Sequence, residues 1–379
     1  AIERTYYTSL TYRPEMGTLS NNGASMPCGV SMDTWSAFIF GLGNPLPKLP
    51  AHELYRATLE RWLDGGQSYT DGSVYQDGKV HDAQDEYLMT GAAGLLGLSD
   101  YLEHAATEEW LHRNLSPIRE RIAAMKTRDL DDDGLVESPW RTGISGTGQW
   151  GTNWYDVTSY GWKDAFSNAI HHQALRGLAQ NFTRYDLIEE SNALTVWADQ
   201  LKANYLPTFF NQETGWIAGW RCQEDKLHDY AFLAVNGCAI NADLVPDDQA
   251  RDICSRLLAE AEKVGMPDPV YGIPGNLWCI PDQDLADIMQ GFSFGFYQNG
   301  GRNHSHARHF TLALYRTGFV TEADHLLSRM CVGYAEARTF GGNKSGIDWR
   351  YWDDRPCGYE GLLTDQFGML EVILTRYGK

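Results

Sequence analysis

Apolar residues recur at helical spacing along most of the chain. Leu54, Ala57, Leu59, Trp62 and Leu63 form one such set, and Leu88, Ala92, Leu95 and Leu96 form another. The same test marks about twelve segments, at roughly 3–13, 31–42, 51–64, 84–98, 105–127, 160–180, 184–203, 229–239, 247–264, 303–317, 321–337 and 361–376. Pro50, Pro246 and Thr321 stand where helices start, and Gly65, Gly265 and Gly318 where they end. No alternating run is long enough to build a sheet. Twelve helices group naturally as six hairpins, and no fixed sequence period points to a solenoid. No Ser/Pro-rich linker divides the chain, so residues 1–379 are expected to form a single all-α domain.

The connections between these segments differ greatly in length. Those at 129–159, 204–228, 265–302 and 338–360 are long and rich in Gly, Trp, Asp, Asn and Pro. Long ordered loops usually carry function, so the chemistry is sought there.

Composition narrows the field. A formal charge of -19 repels phosphate backbones and anionic membranes, and no Lys/Arg cluster offsets it, so neither nucleic acid nor membrane is an expected partner. No stretch approaches the roughly 20 apolar residues needed to span a bilayer, and residues 1–12 lack the apolar core of a signal peptide. The seven cysteines (Cys28, Cys222, Cys238, Cys254, Cys279, Cys331, Cys357) are odd in number and never in a CxxC spacing. They read as buried free thiols, which favours a reducing, cytoplasmic compartment over a periplasmic or secreted one. Aromatic content is 12%, and many of the Trp and Tyr residues adjoin Gly, Asp or Asn. Such rings suit a pyranose face as well as a large core.

The loop chemistry is concentrated in a few motifs. Asp129-Leu130-Asp131-Asp132-Asp133-Gly134-Leu135-Val136-Glu137 is followed by Trp150 to Asp156 (Trp-Gly-Thr-Asn-Trp-Tyr-Asp) and by Tyr160-Gly161-Trp162-Lys163-Asp164-Ala165-Phe166-Ser167-Asn168-Ala169. Towards the C-terminus lie the Gly-rich stretch 295–301 and Trp352-Asp353-Asp354-Arg355-Pro356-Cys357-Gly358-Tyr359-Glu360. Met32-Asp33-Thr34-Trp35 stands near the start. In order and spacing these resemble the inverting glycosidases with (α/α)₆ catalytic domains, especially glycoside hydrolase family 63 and the amylo-glucosidase domain of glycogen-debranching enzymes. The resemblance implies an (α/α)₆ barrel with its long loops at one mouth. It also implies an exo-acting, inverting hydrolase of a small α-linked gluco- or manno-configured saccharide, with no cofactor.

Inversion needs one carboxyl held protonated for the leaving oxygen and a second, ionised, to activate water, roughly 6.5–9.5 Å apart. The resemblance assigns the acid to Asp156, set among Trp154, Tyr155 and Tyr160, and the base to Glu360. Asp348, Asp353 and Asp354 compete for the second role. Trp35, Trp154 and Trp352 are candidate stacking platforms, with Tyr160 and Tyr359 beside the two carboxyls. Gln84, Asp85, Lys163, Asp164, Asn299 and His304 are candidates to grip hydroxyls, although each also suits a capping or solvated position. The acidic loop from Asp129 has the first half of a calcium-loop register, but Trp140 stands where a Glu should close it, so a turn-rich loop is expected, with no metal. The histidines His171, His172, His304 and His306 lack a third correctly spaced ligand for zinc. Three rival readings remain: a phosphorylase on the same barrel using Arg302, His304 and His306, a histidine-dependent sugar epimerase, and a non-catalytic sugar-binding domain.

Overall fold

The computed structural model describes residues 11–13, 18–20, 51–64, 74–76, 79–81, 88–138, 153, 155, 157–285, 289, 291–336, 347–360 and 368–378. Among them are ten α-helices: α1 (Ala51–Leu63), α2 (Leu88–His104), α3 (Glu108–Lys126), α4 (Ala165–Arg184), α5 (Ile188–Phe209), α6 (Leu233–Asn241), α7 (Asp247–Lys263), α8 (His304–Arg316), α9 (Val320–Ala335) and α10 (Gly368–Tyr377). They overlap ten of the segments marked by apolar spacing. Segment 31–42 lies outside the described residues.

The helices sort into two layers for a physical reason. Helix α6 is buried on every face from Leu233 to Ile240, with Asn236, hydrogen-bonded to Ile217 and Phe232, its one polar residue there, so it sits inside. Helix α4 likewise buries residues on every face, from Ala165 to Phe182. Helix α7 is amphipathic, burying only Ala250, Ile253, Cys254, Leu257 and Ala261 along one stripe. Packing follows the same division. Helices α2, α4, α6, α8 and α10 pack in succession as an inner layer, while α3, α5, α7 and α9 each back onto the inner helix that precedes them and α1 backs onto α2.

Short links at 105–107, 185–187, 242–246 and 317–319 join each inner helix to its outer partner, which makes each pair antiparallel. The long links at 127–164, 210–232, 264–303 and 336–367 then return to the next inner helix. All inner helices therefore run the same way, and every long link enters at their N-terminal end.

Fourteen short strands lie among the described residues, ten of them in these long links: β1 (Thr11–Arg13), β2 (Thr18–Ser20), β3 (Val74–Gln76), β4 (Lys79–His81), β5 (Glu137–Ser138), β6 (Trp162–Asp164), β7 (Phe210–Asn211), β8 (Trp216–Ile217), β9 (Trp220–Arg221), β10 (Leu227–His228), β11 (Ile273–Pro274), β12 (Arg302–Asn303), β13 (Ile347–Arg350) and β14 (Pro356–Glu360). They form two four-stranded antiparallel sheets, β10-β9-β6-β5 and β11-β12-β13-β14, and three hairpins. This corrects the expectation of no sheet. Elements this short cannot show a two-residue alternation. Of the helix expected over 3–13, residues 3–10 lie outside the described residues, and 11–13 are strand instead: Thr11 and Tyr12, of types that favour strands, pair with Ser20 and Leu19.

Six described cysteines are free, but only Cys238, Cys254 and Cys357 are buried, whereas Cys279 and Cys331 are exposed. No helix among the described residues is long and apolar enough to cross a membrane.

Candidate active site

The two sheets lie where the long links meet the inner helices. Strand β6 leads directly into α4 through the N-cap Asp164, and β12 leads into α8 through the N-cap Asn303, whose side chain accepts from the His306 backbone N–H. Between them runs a column of buried rings. His306 of α8 stacks on Tyr155 at 4.6 Å and 11°, and Tyr155 on Tyr160 at 5.2 Å. Tyr160 leans on Trp220 at 4.7 Å, and Trp220 stacks on His228 at 4.5 Å and 8°. Phe166 and Phe232, at the starts of α4 and α6, meet Tyr155 edge-on.

Polar contacts fix the same segment. The Tyr155 N–H donates to Asn153 Oδ1 (2.7 Å) and the Val157 N–H to Gln298 Oε1 of the Gly-rich stretch (3.1 Å). The Ser159 N–H donates to the Asp284 carbonyl (2.9 Å), and Thr158 bridges to Leu285. Tyr155 Oη donates to the Gly275 carbonyl. Residues 155 and 157–160 are thus held over the N-termini of α4, α6 and α8.

Two charged knots flank the column. Asp164 is fully buried and accepts from the Phe166 and Ser167 N–H groups, from Ser167 Oγ (2.6 Å) and from Asn153 Nδ2 (2.7 Å). Burial pushes its carboxyl up to about 6 against the pull of those hydrogen bonds. In the second knot, Lys163 Nζ contacts Asp131 at 2.8 Å, Glu137 at 3.3 Å and Asp133. Burial works against its charge, but the hydrogen bonds to Asp131 and Asp133 outweigh it and raise its pKa. Buried Glu137 is pushed up to about 7. The acidic oxygens of Asp129, Asp131, Asp133 and Glu137 lie within 4.8 Å of one another, close enough to share a cation, and the Lys163 ammonium meets three of them. A cleft of about 470 Å³ opens beside this knot, lined by Trp162, Arg221, Gln223 and Asp225 as well as Asp131 and Lys163. Pro207 and Thr208 of outer helix α5 also line it, which puts it on the rim.

No protein-family model matches the chain, and no curated protein matches its sequence. Solved structures do. A GH63 mannosylglycerate hydrolase from Thermus thermophilus, in complex with glucose, matches with a TM-score of 0.58 at 13% identity, over 99% of this chain and 98% of that one. A cellobiose 2-epimerase from Spirochaeta thermophila matches with a TM-score of 0.60 at 11% identity, over 98% and 94%. A rhamnosidase from Klebsiella oxytoca, with rhamnose bound, matches with a TM-score of 0.58 at 15% identity over 93% of this chain, which spans 57% of the rhamnosidase's length. The chain folds as an (α/α)₆ barrel.

The described residues locate some of the sequence candidates and leave others out. Asp156, Trp154, Trp35, Gln84 and Asp85 lie outside the described residues, although both neighbours of Asp156 belong to the buried mouth. Glu360 ends β14, its backbone paired with Ile347, and the side chains of Tyr359, Glu360 and Asp348 lie outside the described residues. Tyr160 is in the ring column. Lys163 and Asp164 direct their polar atoms at protein partners, as does Asn299, which bonds both backbone groups of Ile280. His304 opens α8 beside Tyr334, and burial lowers its pKa to about 3. Half-buried Trp352 donates to the Gly300 carbonyl and meets Phe294 edge-on. Exposed Asp353 and Asp354 pair with Arg355 and Arg302.

The sequence reading missed one group. His228 Nδ1 lies 2.7 Å from Asp284 Oδ2, and Tyr230 Oη donates to the same oxygen. Burial opposes ionisation of Asp284, yet the hydrogen bonds from His228 and Tyr230 hold its carboxyl below the ordinary value. Only the run His228-Asp229-Tyr230 before a helix could have signalled it, because Asp284 is remote in sequence.

Proposed function

We propose that this barrel is a carbohydrate-active enzyme that hydrolyses a glycosidic bond with inversion, Asp156 acting as general acid and Glu360 as general base. The observation that carries the reading is the stacked ring column. It holds Tyr155 and Tyr160, on either side of Asp156 in sequence, over the inner-helix N-termini, and one of its rings, His306, belongs to α8. The sheet that leads into α8 also contains β14, which ends in Glu360. This convergence of the segments next to Asp156 and Glu360 supports assigning the two carboxyls to one site. Apolar rings around a carboxyl favour its protonated form, which an acid needs, while a second carboxyl in a more polar setting stays ionised to draw a proton from water. The sugars named with the neighbours support a small saccharide as substrate, and the motif resemblance supports an exo-acting enzyme on an α-linked gluco- or manno-configured one.

Phosphorolysis has less support. Arg302 is buried with its guanidinium engaged by the Tyr351 and Asp268 carbonyls and by Asp354, and burial holds His304 and His306 near pKa 3, neutral at physiological pH. The epimerase reading is favoured by the histidines at the mouth and by the likeness to an epimerase. Turnover of α-glucosyl and α-mannosyl disaccharides, with and without phosphate, separates these. Wild type is expected to hydrolyse without phosphate, and Asp156→Asn and Glu360→Gln each to lose at least about a hundredfold in kcat. Full activity in either variant removes that residue from the mechanism, and sugar epimerisation retained in Asp156→Asn replaces hydrolysis with the epimerase reading.

A further inference from the structure

His228 closes the end of the ring column opposite His306. Its Nδ1 faces Asp284 Oδ2 at 2.7 Å, and Tyr230 Oη donates to that same carboxylate oxygen. An ionised carboxylate only accepts, so a neutral imidazole in this position carries its proton on Nδ1 and presents Nε2 as an acceptor. That Nε2 is buried and has no hydrogen-bond partner among the described residues. A buried acceptor without a donor is costly and calls for an explanation. The pair is also tied to the segment that carries Asp156. The Asp284 carbonyl takes the Ser159 N–H, and Leu285 bridges Thr158. Trp220 lies flat on the imidazole, and with Asp284 and Tyr230 it fixes the ring's tilt and direction.

We propose that His228 reads a sugar hydroxyl at the barrel mouth: Asp284 fixes the Nδ1–H tautomer, and Nε2 accepts the hydroxyl's hydrogen bond. This rests on the hydrolase reading above and adds a specificity-determining residue to it. Asp284 acts through His228 and is a positioning residue. A site built to hydrogen-bond a hydroxyl discriminates against the analogue lacking it.

The test uses 4-nitrophenyl α-D-glucopyranoside and α-D-mannopyranoside with their 2-, 3-, 4- and 6-monodeoxy analogues. Wild type is expected to lose roughly 10- to 100-fold in kcat/KM for one deoxy position, the worth of one such hydrogen bond. His228→Phe, which keeps a ring on Trp220, should process the parent as poorly as that deoxy compound and show no discrimination there. Asp284→Asn, whose amide can donate to Nδ1 and so drive the proton to Nε2, should move the same ratio in the same direction. Because either variant could fail to fold, ¹⁵N-histidine NMR of the wild type supplies a second readout: His228 should show the Nδ1–H tautomer, and Nε2 should shift on adding glucose or mannose. An Nε2–H tautomer, an Nε2 signal unmoved by both sugars, or full deoxy discrimination in His228→Phe overturns the proposal. A wild type that hydrolyses none of these glycosides while Nε2 responds to sugar supports the proposal and overturns the hydrolase reading instead.

Discussion

Asp164 shows how one buried carboxyl can organise a mouth. It caps α4 through two backbone N–H groups, holds Ser167 Oγ, and takes the amide of Asn153, whose own oxygen fixes Tyr155. Asp164→Ala removes the cap and leaves two buried donors without partners, so the expected loss is about 2–4 kcal/mol, above an ordinary capping deletion. Asp164→Asn keeps one acceptor oxygen and should cost less. Urea unfolding midpoints check both, and a loss under about 1 kcal/mol in the Ala variant would contradict this account. The sequence shows Lys163-Asp164 as a polar pair ahead of a helix, and a hydroxyl-gripping role is a fair reading of that. What it cannot show is Asn153 or the carboxylates of Asp131, Asp133 and Glu137 folding back onto the pair. His228 is hidden for the same reason, since its partner Asp284 comes from a different link.

Among the elements, inner helices α6 and α8 cross at Gly237. A Cβ there would lie 2.4 Å from the His309 carbonyl carbon and 2.5 Å from the Phe310 nitrogen. These are backbone atoms of a packed helix and cannot move aside locally. Gly237→Ala should therefore destabilise the barrel by at least about 2 kcal/mol, although Ala is the better helix former. Thermal unfolding would show it, and an unchanged or raised Tm would mean that the two helices do not meet at this point. The helices themselves are legible in the sequence because each spans several turns of apolar periodicity. Helix α6 is still harder to bound, because a short segment buried on all sides has no stripe. The strands escape notice because two to five residues carry no pattern of their own and owe their pairing to neighbours from other links.

At the scale of the molecule, the alternation of short and long connections gathers every long link at one end of the barrel. In the sequence the long connections stand out by their length, but that they share one mouth is implied by the family resemblance and not by spacing. The layering also buries several histidines, five of which lose basicity. Burial lowers His171, His304 and His306 to about 3, His172 to about 4, and His309 well below the ordinary value. Each is neutral when folded but takes up a proton when unfolded below about pH 6.5. Their contribution to stability is complete above that value and is lost progressively as pH falls towards the folded values of about 3 to about 4. Glu137 and Asp164 run the other way: their raised values favour the folded state at low pH, and that advantage is lost as pH rises through about 7 and about 6. With the histidines in the majority, Tm is expected to fall steeply below about pH 6.5, and His306→Gln should flatten the slope. A profile that is level between pH 4.5 and 6.5 would contradict this.

The central claim is that segments carrying Asp156 and Glu360 meet at this mouth to invert a glycosidic centre. The most direct test is to follow by NMR the anomer first released from an α-linked glucosyl or mannosyl disaccharide before mutarotation. The account predicts the β-anomer from wild type, with release lost in Asp156→Asn and in Glu360→Gln. First appearance of the α-anomer, or undiminished release by either variant, would contradict it.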